Sequence, residues 1–105
     1  MSRRSAAPVF AALGDETRLE LVGRLCSHGP LSTTQLAEGT AVTRQGITKH
    51  LHVLARAGIV RDARHGRERI WAMEPGRLEI ARRFLDQISR RWDEALERLK
   101  AYVED

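Results

Sequence analysis

The chain has 105 residues, 42% of them hydrophobic and 30% charged, the proportions of one globular domain that buries about two thirds of its unfolded surface. No stretch nears the roughly 18 consecutive apolar residues of a membrane span, and the apolar run behind the basic start is broken by Gly14, Asp15 and Glu16, so a cytoplasmic protein is expected. The single cysteine, Cys26, excludes an internal disulfide framework and an all-cysteine zinc site within one chain, and the net charge of +4 asks where the excess lies.

In chain order, Ala6 to Leu13 is helix-prone, with Val9, Phe10 and Leu13 at helical spacing. Gly14 interrupts it and Asp15 is placed to cap a second helix, whose apolar stripe reads as Leu19, Val22, Leu25 and Cys26 and ends before Gly29-Pro30. Leu31 reads as a single extended residue. Ser32, followed three residues on by Gln35, has the spacing of a capping box for a short helix through Glu38, stopped by Gly39. Thr43 is the next cap, and from Arg44 to Ala57 the positions Ile47, Leu51 and Leu54 mark a buried face that ends at Gly58. Ile59-Val60 and Ile70-Trp71 are strand-prone runs about the polar turn His65-Gly66-Arg67, which predicts a β-hairpin. Pro75 suits a first helical position, and no breaker interrupts the chain from Arg77 to Val103.

The positive charge is concentrated. Residues 44–69 carry Arg44, Lys49, Arg56, Arg61, Arg64, Arg67 and Arg69 against only Asp62 and Glu68, whereas the segments on either side are close to neutral. A local field of this sign suits a polyanion such as double-stranded DNA. Two helices joined by Gly39-Thr40-Ala41-Val42 form a helix-turn-helix pair over 32–57. With Ile47, Leu51 and Leu54 facing inward, Arg44, Gln45, Thr48, Lys49 and His52 fall on the outer face, toward the end of a recognition helix that enters the major groove. Arg and Lys pair with guanine or phosphate, Gln with adenine, and Thr offers a hydroxyl and a methyl group. Gly46, costly inside a helix by about 1 kcal/mol relative to alanine, marks a close approach of the backbone to the duplex or to the preceding helix. The hairpin over 59–73 adds Arg64, His65, Arg67 and Arg69 near a glycine-containing tip, a wing for the phosphate backbone or minor groove. The expected architecture is mainly α with a small β-hairpin, a single winged helix-turn-helix domain over 1–105.

These residues carry a family resemblance. The run Phe10 to Leu19 with Gly14-Asp15-Glu16-Thr17-Arg18, then Thr43 to Leu54 with Thr48-Lys49-His50-Leu51, then Ala57-Gly58-Ile59-Val60 and His65-Gly66-Arg67, resembles the ArsR-type winged-helix repressors over nearly the whole chain. The resemblance implies a homodimeric, DNA-binding transcriptional repressor, with helix 44–57 in the major groove and the hairpin as wing. His50, which precedes the leucine of that helix in the family as here, is expected to be structural.

The last helix, 75–103, has its own message. Leu78, Ala81, Leu85, Ile88, Trp92, Ala95, Leu99 and Tyr102 repeat at alternating spacings of three and four, and Phe84, Leu96 and Val103 broaden the seam. At 1.5 Å per residue the helix is about 44 Å long, against about 30 Å for a small domain, so part of the seam needs another partner. A symmetric dimer through Phe10, Leu85, Ile88, Trp92 and Leu99 meets that need and sets two reading helices about 34–36 Å apart on a palindromic site.

Many relatives sense metals, through a pair of cysteines before the recognition helix or through His and Asp on the last helix. Ser32 and Thr34 stand at the cysteine positions, and the last helix contains no histidine, so no metal and no other cofactor is expected. Cys26, expected in the core, and His28 leave open a metal-responsive repressor with a non-standard site. The effector, if any, is unspecified by the sequence. No phosphate loop, nucleophile elbow or paired-histidine zinc motif supports an enzyme, and a protein-interaction module with a basic face is the other alternative.

Overall fold

The computed structural model describes residues 5–104, whose elements are α1 (Ala7–Leu13), α2 (Glu16–His28), β1 (Leu31–Ser32), α3 (Thr33–Ala37), α4 (Arg44–Arg56), β2 (Val60–His65), β3 (Glu68–Met73) and α5 (Pro75–Glu104). The starts of α2, α3 and α4 carry the expected local chemistry. Asp15 accepts from the Arg18 N–H, and Thr43 accepts from the Gly46 N–H. The capping box is complete: Ser32 accepts from the Gln35 backbone while the Gln35 side chain accepts from the Ser32 N–H at 2.9 Å. Gly58 is needed twice over, since its φ of +79° suits glycine and a Cβ there would fall 2.5 Å from Cγ of Arg77.

β2 and β3 form the hairpin through a two-residue loop, Gly66-Arg67, with His65 opposite Glu68. Gly66 has φ +66° and Arg67 does not share the positive region, the pattern of a turn whose twist matches its strands. The sheet is larger than the sequence reading anticipates. Leu31 and Ser32 pair with Trp71 and Ile70, so β1 closes a three-stranded antiparallel sheet of order β1-β3-β2. The correction has a local cause: the capping residue Ser32 must be extended, with φ −75° and ψ 160°, and an extended pair beside an open strand edge can complete its ladder.

One core joins the helices to the sheet. Leu21, Leu25, Leu36, Ile47, Leu51, Leu54, Ile59 and Trp71 are buried within it. The Trp71 indole N–H donates to Thr33 Oγ1 at 2.9 Å, which satisfies the polar atom that a buried tryptophan brings with it. The α2 stripe is corrected. Leu21 and Leu25 face the core with Val22 at its margin, whereas Leu19 is 55% exposed and Cys26 is exposed. Leu21 and Leu25 are one turn apart, and Leu19 and Cys26, two turns apart, line the neighbouring face.

α5 leaves this body. Leu78 and Ala81 pack on the core and Phe84 meets Phe10 with ring centroids 5.8 Å apart, but every residue from 82 to 104 is exposed. The protruding helix gives the molecule extents of 66 × 33 × 21 Å. Among the described residues no helix is long and apolar enough to cross a membrane.

Candidate nucleic-acid interface

The turn between α3 and α4 is held by side chains that sequence spacing does not announce. Arg24, on α2, donates to the carbonyls of Leu36 at 2.7 Å, Gln35 at 2.8 Å and Glu38 at 3.3 Å. One guanidinium thereby satisfies the carbonyls of Gln35, Leu36 and Glu38 at the end of α3. Thr40 Oγ1 accepts from the Val42 N–H and lies 3.2 Å from the carbonyls of Ala37 and Val42, to one of which its hydroxyl donates. Gly46 resolves as a matter of packing within this unit: a Cβ there would stand 2.8 Å from Val42 Cγ1 and 3.2 Å from Thr43 Oγ1. The close approach is thus to the turn.

With α4 pressed on the turn by one face and on the core by Ile47, Leu51 and Leu54, its outer face is defined. Arg44, Gln45 and Lys49 are exposed, and Thr48 and His52 are half-buried. The Thr48 hydroxyl donates to the Arg44 carbonyl at 3.0 Å, so it meets other groups only as an acceptor or through its methyl. The His52 ring lies 6.0 Å from the ring of Trp71, at the root of the wing. His50 is half-buried on the flank of α4 that meets α2, with Nδ1 3.1 Å from Nη1 of Arg18.

On the wing the register decides which cations are free. Arg64 stands directly opposite Arg69, and Asp62 opposite Trp71. Two like charges across a ladder repel, and Asp62 offsets them by accepting from Nε of Arg69. The Arg69 guanidinium also lies 5.1 Å from the centre of the Trp71 ring, a cation–π contact. Arg69 is therefore held against the sheet. Arg61 turns to Glu74 at 3.6 Å. Arg64, His65 and Arg67 are exposed at the tip, and among the described residues Arg44, Lys49, Arg64 and Arg67 have no ion-pair partner.

The metal positions do not fit a metal. Ser32 is engaged in the capping box, and Ser32 and Thr34 offer hydroxyls where soft thiolates would be required. Among the described residues no three His, Cys, Asp or Glu side chains gather as a ligand group.

A helix-turn-helix pair packed on a small sheet, with a cationic helix face beside a cationic hairpin tip, defines a winged helix-turn-helix DNA-binding transcriptional regulator. Known proteins agree. Residues 13–63 match the family model of a helix-turn-helix domain. The chain is 39% identical over 93 residues to the HTH-type transcriptional regulator Rv2034 of Mycobacterium tuberculosis, covering 89% of this chain and 83% of the relative. An ArsR-like transcriptional regulator from Rhodococcus sp. RHA1 is 38% identical and superposes with a TM-score of 0.72, over 90% of this chain and 89% of that one. The ArsR family transcriptional regulator RHA00566 is 31% identical with a TM-score of 0.73, over 83% and 89%. The chain belongs to the ArsR family of transcriptional regulators.

Proposed function

We propose that this regulator works in the cytoplasm as a homodimer and represses transcription by covering a palindromic operator. Two copies pair through Phe10 of α1 and Leu85, Ile88, Trp92 and Leu99 of α5, and each inserts α4 into a major groove. Arg44, Gln45, Thr48, Lys49 and His52 face the bases and nearby phosphates, while Arg64, His65 and Arg67 of the wing contact the backbone. Arg69 belongs to the same surface but acts through Asp62 and Trp71, fixing the wing's shape.

The observation that carries this reading is the adjacency of two sets of unpaired cations, Arg44 and Lys49 on α4 and Arg64 and Arg67 on the wing, on elements packed together. Unpaired exposed cations are free to displace counterions from phosphates. The apolar α5 face, with Trp92 63% and Tyr102 82% exposed, supports the pairing, since a soluble chain rarely leaves so long an apolar stripe uncovered.

Selection of bound fragments from the source genome, followed by anisotropy titrations over a range of salt, tests it. A specific site with inverted-repeat symmetry, bound at least about 10³-fold more tightly than unrelated duplex, is expected. Equal affinity for all fragments would replace this reading with that of a protein-interaction module.

A further inference from the structure

His50 sits where three elements meet. Its Nδ1 is 3.1 Å from Nη1 of Arg18 and 3.8 Å from Oδ2 of Asp15. A guanidinium carries donors and no acceptor, so the shorter contact is a hydrogen bond only if Nδ1 accepts, which places the ring in its neutral form with the proton on Nε2. Arg18 does more than meet His50: its Nε donates to the carbonyl of Ala12 near the end of α1, and its backbone N–H donates to Asp15 at 3.0 Å. One side chain thus links α1, the start of α2 and α4.

We propose that His50 is a positioning residue for DNA recognition, and that its protonation releases α4 from α1 and α2 and weakens binding to the specific site. This rests on α4 being the reading helix. A proton taken from solvent by Nδ1 turns the acceptor into a donor, leaves Arg18 Nη1 without its partner and sets two cations face to face. The ring then has one favourable neighbour, the Asp15 carboxylate, which is further away. The charged groups that face His50 are Asp15 and Arg18; α1 and α3 contain no titratable side chain, and Asp62 of β2 is engaged by Arg69. Asp15 remains an anion through the relevant range, because the Arg18 backbone N–H holds its carboxyl below the ordinary value, with smaller help from His50 and the Arg18 charge against some desolvation.

The test compares the wild-type protein with His50→Asn on a fluorescein-labelled duplex carrying the selected site, by anisotropy from about pH 8 to about pH 5.5, a window that brackets ordinary imidazole titration. Asparagine offers an amide oxygen close to the place of Nδ1 and has no proton to gain. The ratio of the two dissociation constants cancels what His28, His52 and His65 contribute to both proteins. A ratio near one at the upper end, with the wild type weaker by about tenfold at the lower end, is expected for loss of a hydrogen bond from a charged donor. A ratio constant across the window overturns the proposal. Should the variant fold poorly, imidazole ¹⁵N shifts of the wild-type protein supply the second measurement: Nε2–H with bare Nδ1 at about pH 8 is expected, and an Nδ1–H ring overturns the proposal as well. Arg44→Ala in the same assay separates the two levels. If it leaves affinity unchanged, the reading of α4 fails; if it weakens binding while the His50 ratio stays flat, only the role of His50 falls.

Discussion

At the scale of single residues, Gly46 shows how a local cost serves a tertiary contact. Alanine would be the better helix former at this position, yet its methyl group would press on Val42 Cγ1 at 2.8 Å. Gly46→Ala is therefore expected to destabilise the fold by about 1–3 kcal/mol, the usual range for overpacking, against a propensity gain of about 1 kcal/mol. Thermal unfolding checks this, and a rise in Tm would refute it. The side chains proposed to meet DNA divide by role. Arg44→Ala or Gln45→Ala should relax preference at one position per half-site by about 1–3 kcal/mol, whereas Arg67→Ala should weaken all sequences alike and lower the salt slope by about one. Affinities for a set of single-base variants of the site, each measured at several salt concentrations, distinguish these outcomes. Asp15 gives a pH signature. Its carboxyl is held below its ordinary value, so the stability it contributes is complete above the ordinary carboxylate range and disappears as pH falls through the lowered value. Asp15→Asn should unfold at a lower temperature at neutral pH and lose part of that deficit in acid; a deficit independent of pH would contradict the assignment.

At the scale of elements, what the sequence reveals and what it hides follow from the range of the interactions. The capping box at Ser32 and Gln35, the cap at Thr43 and the buried trio Ile47, Leu51 and Leu54 are legible because each is set within a few residues. The pairing of β1 with β3 joins residues about forty positions apart, and nothing in two residues of strand announces it. The face of α2 is hidden for a related reason: Leu19, Leu21, Val22 and Leu25 offer two overlapping helical stripes, and only packing on α4 and the sheet selects Leu21 and Leu25. The outer-face residues of α4 follow from periodicity alone, but the engagement of Arg69 by Asp62 and Trp71 depends on strand register, and the anchoring of α3 by Arg24 depends on the tertiary meeting of two helices. Arg24→Ala should accordingly destabilise the protein by about 2 kcal/mol, since it strands carbonyls that accept from a charged donor. The same change should raise hydrogen exchange selectively at α3 and the turn. Uniform exchange across all elements would show that Arg24 has no local anchoring role.

At the scale of the whole molecule, the feature to explain is a 30-residue helix of which only about the first three turns, as far as Phe84, meet the rest of the fold. Trp92→Glu should leave the core of α2, α4 and the sheet intact and yield monomers in sedimentation, because the charge would be desolvated at the centre of the proposed seam. A variant that stays dimeric would exclude the seam. Positive charge is concentrated in residues 44–69 and exposed apolar surface on α5, and the two regions meet where Arg77 lies across Gly58.

In the proposed dimer, the overhang of α5 would also make the melting behaviour of the protein a matter of mass action. Beyond Ala81 the helix has little but the Phe84–Phe10 contact and its own backbone hydrogen bonds, whereas most helical stability in proteins comes from tertiary packing of an apolar face. If a second copy supplies the missing layer, diluting the sample should lower Tm without any change of solvent, and the supply of newly made chains would itself set how much of the regulator is competent at any moment.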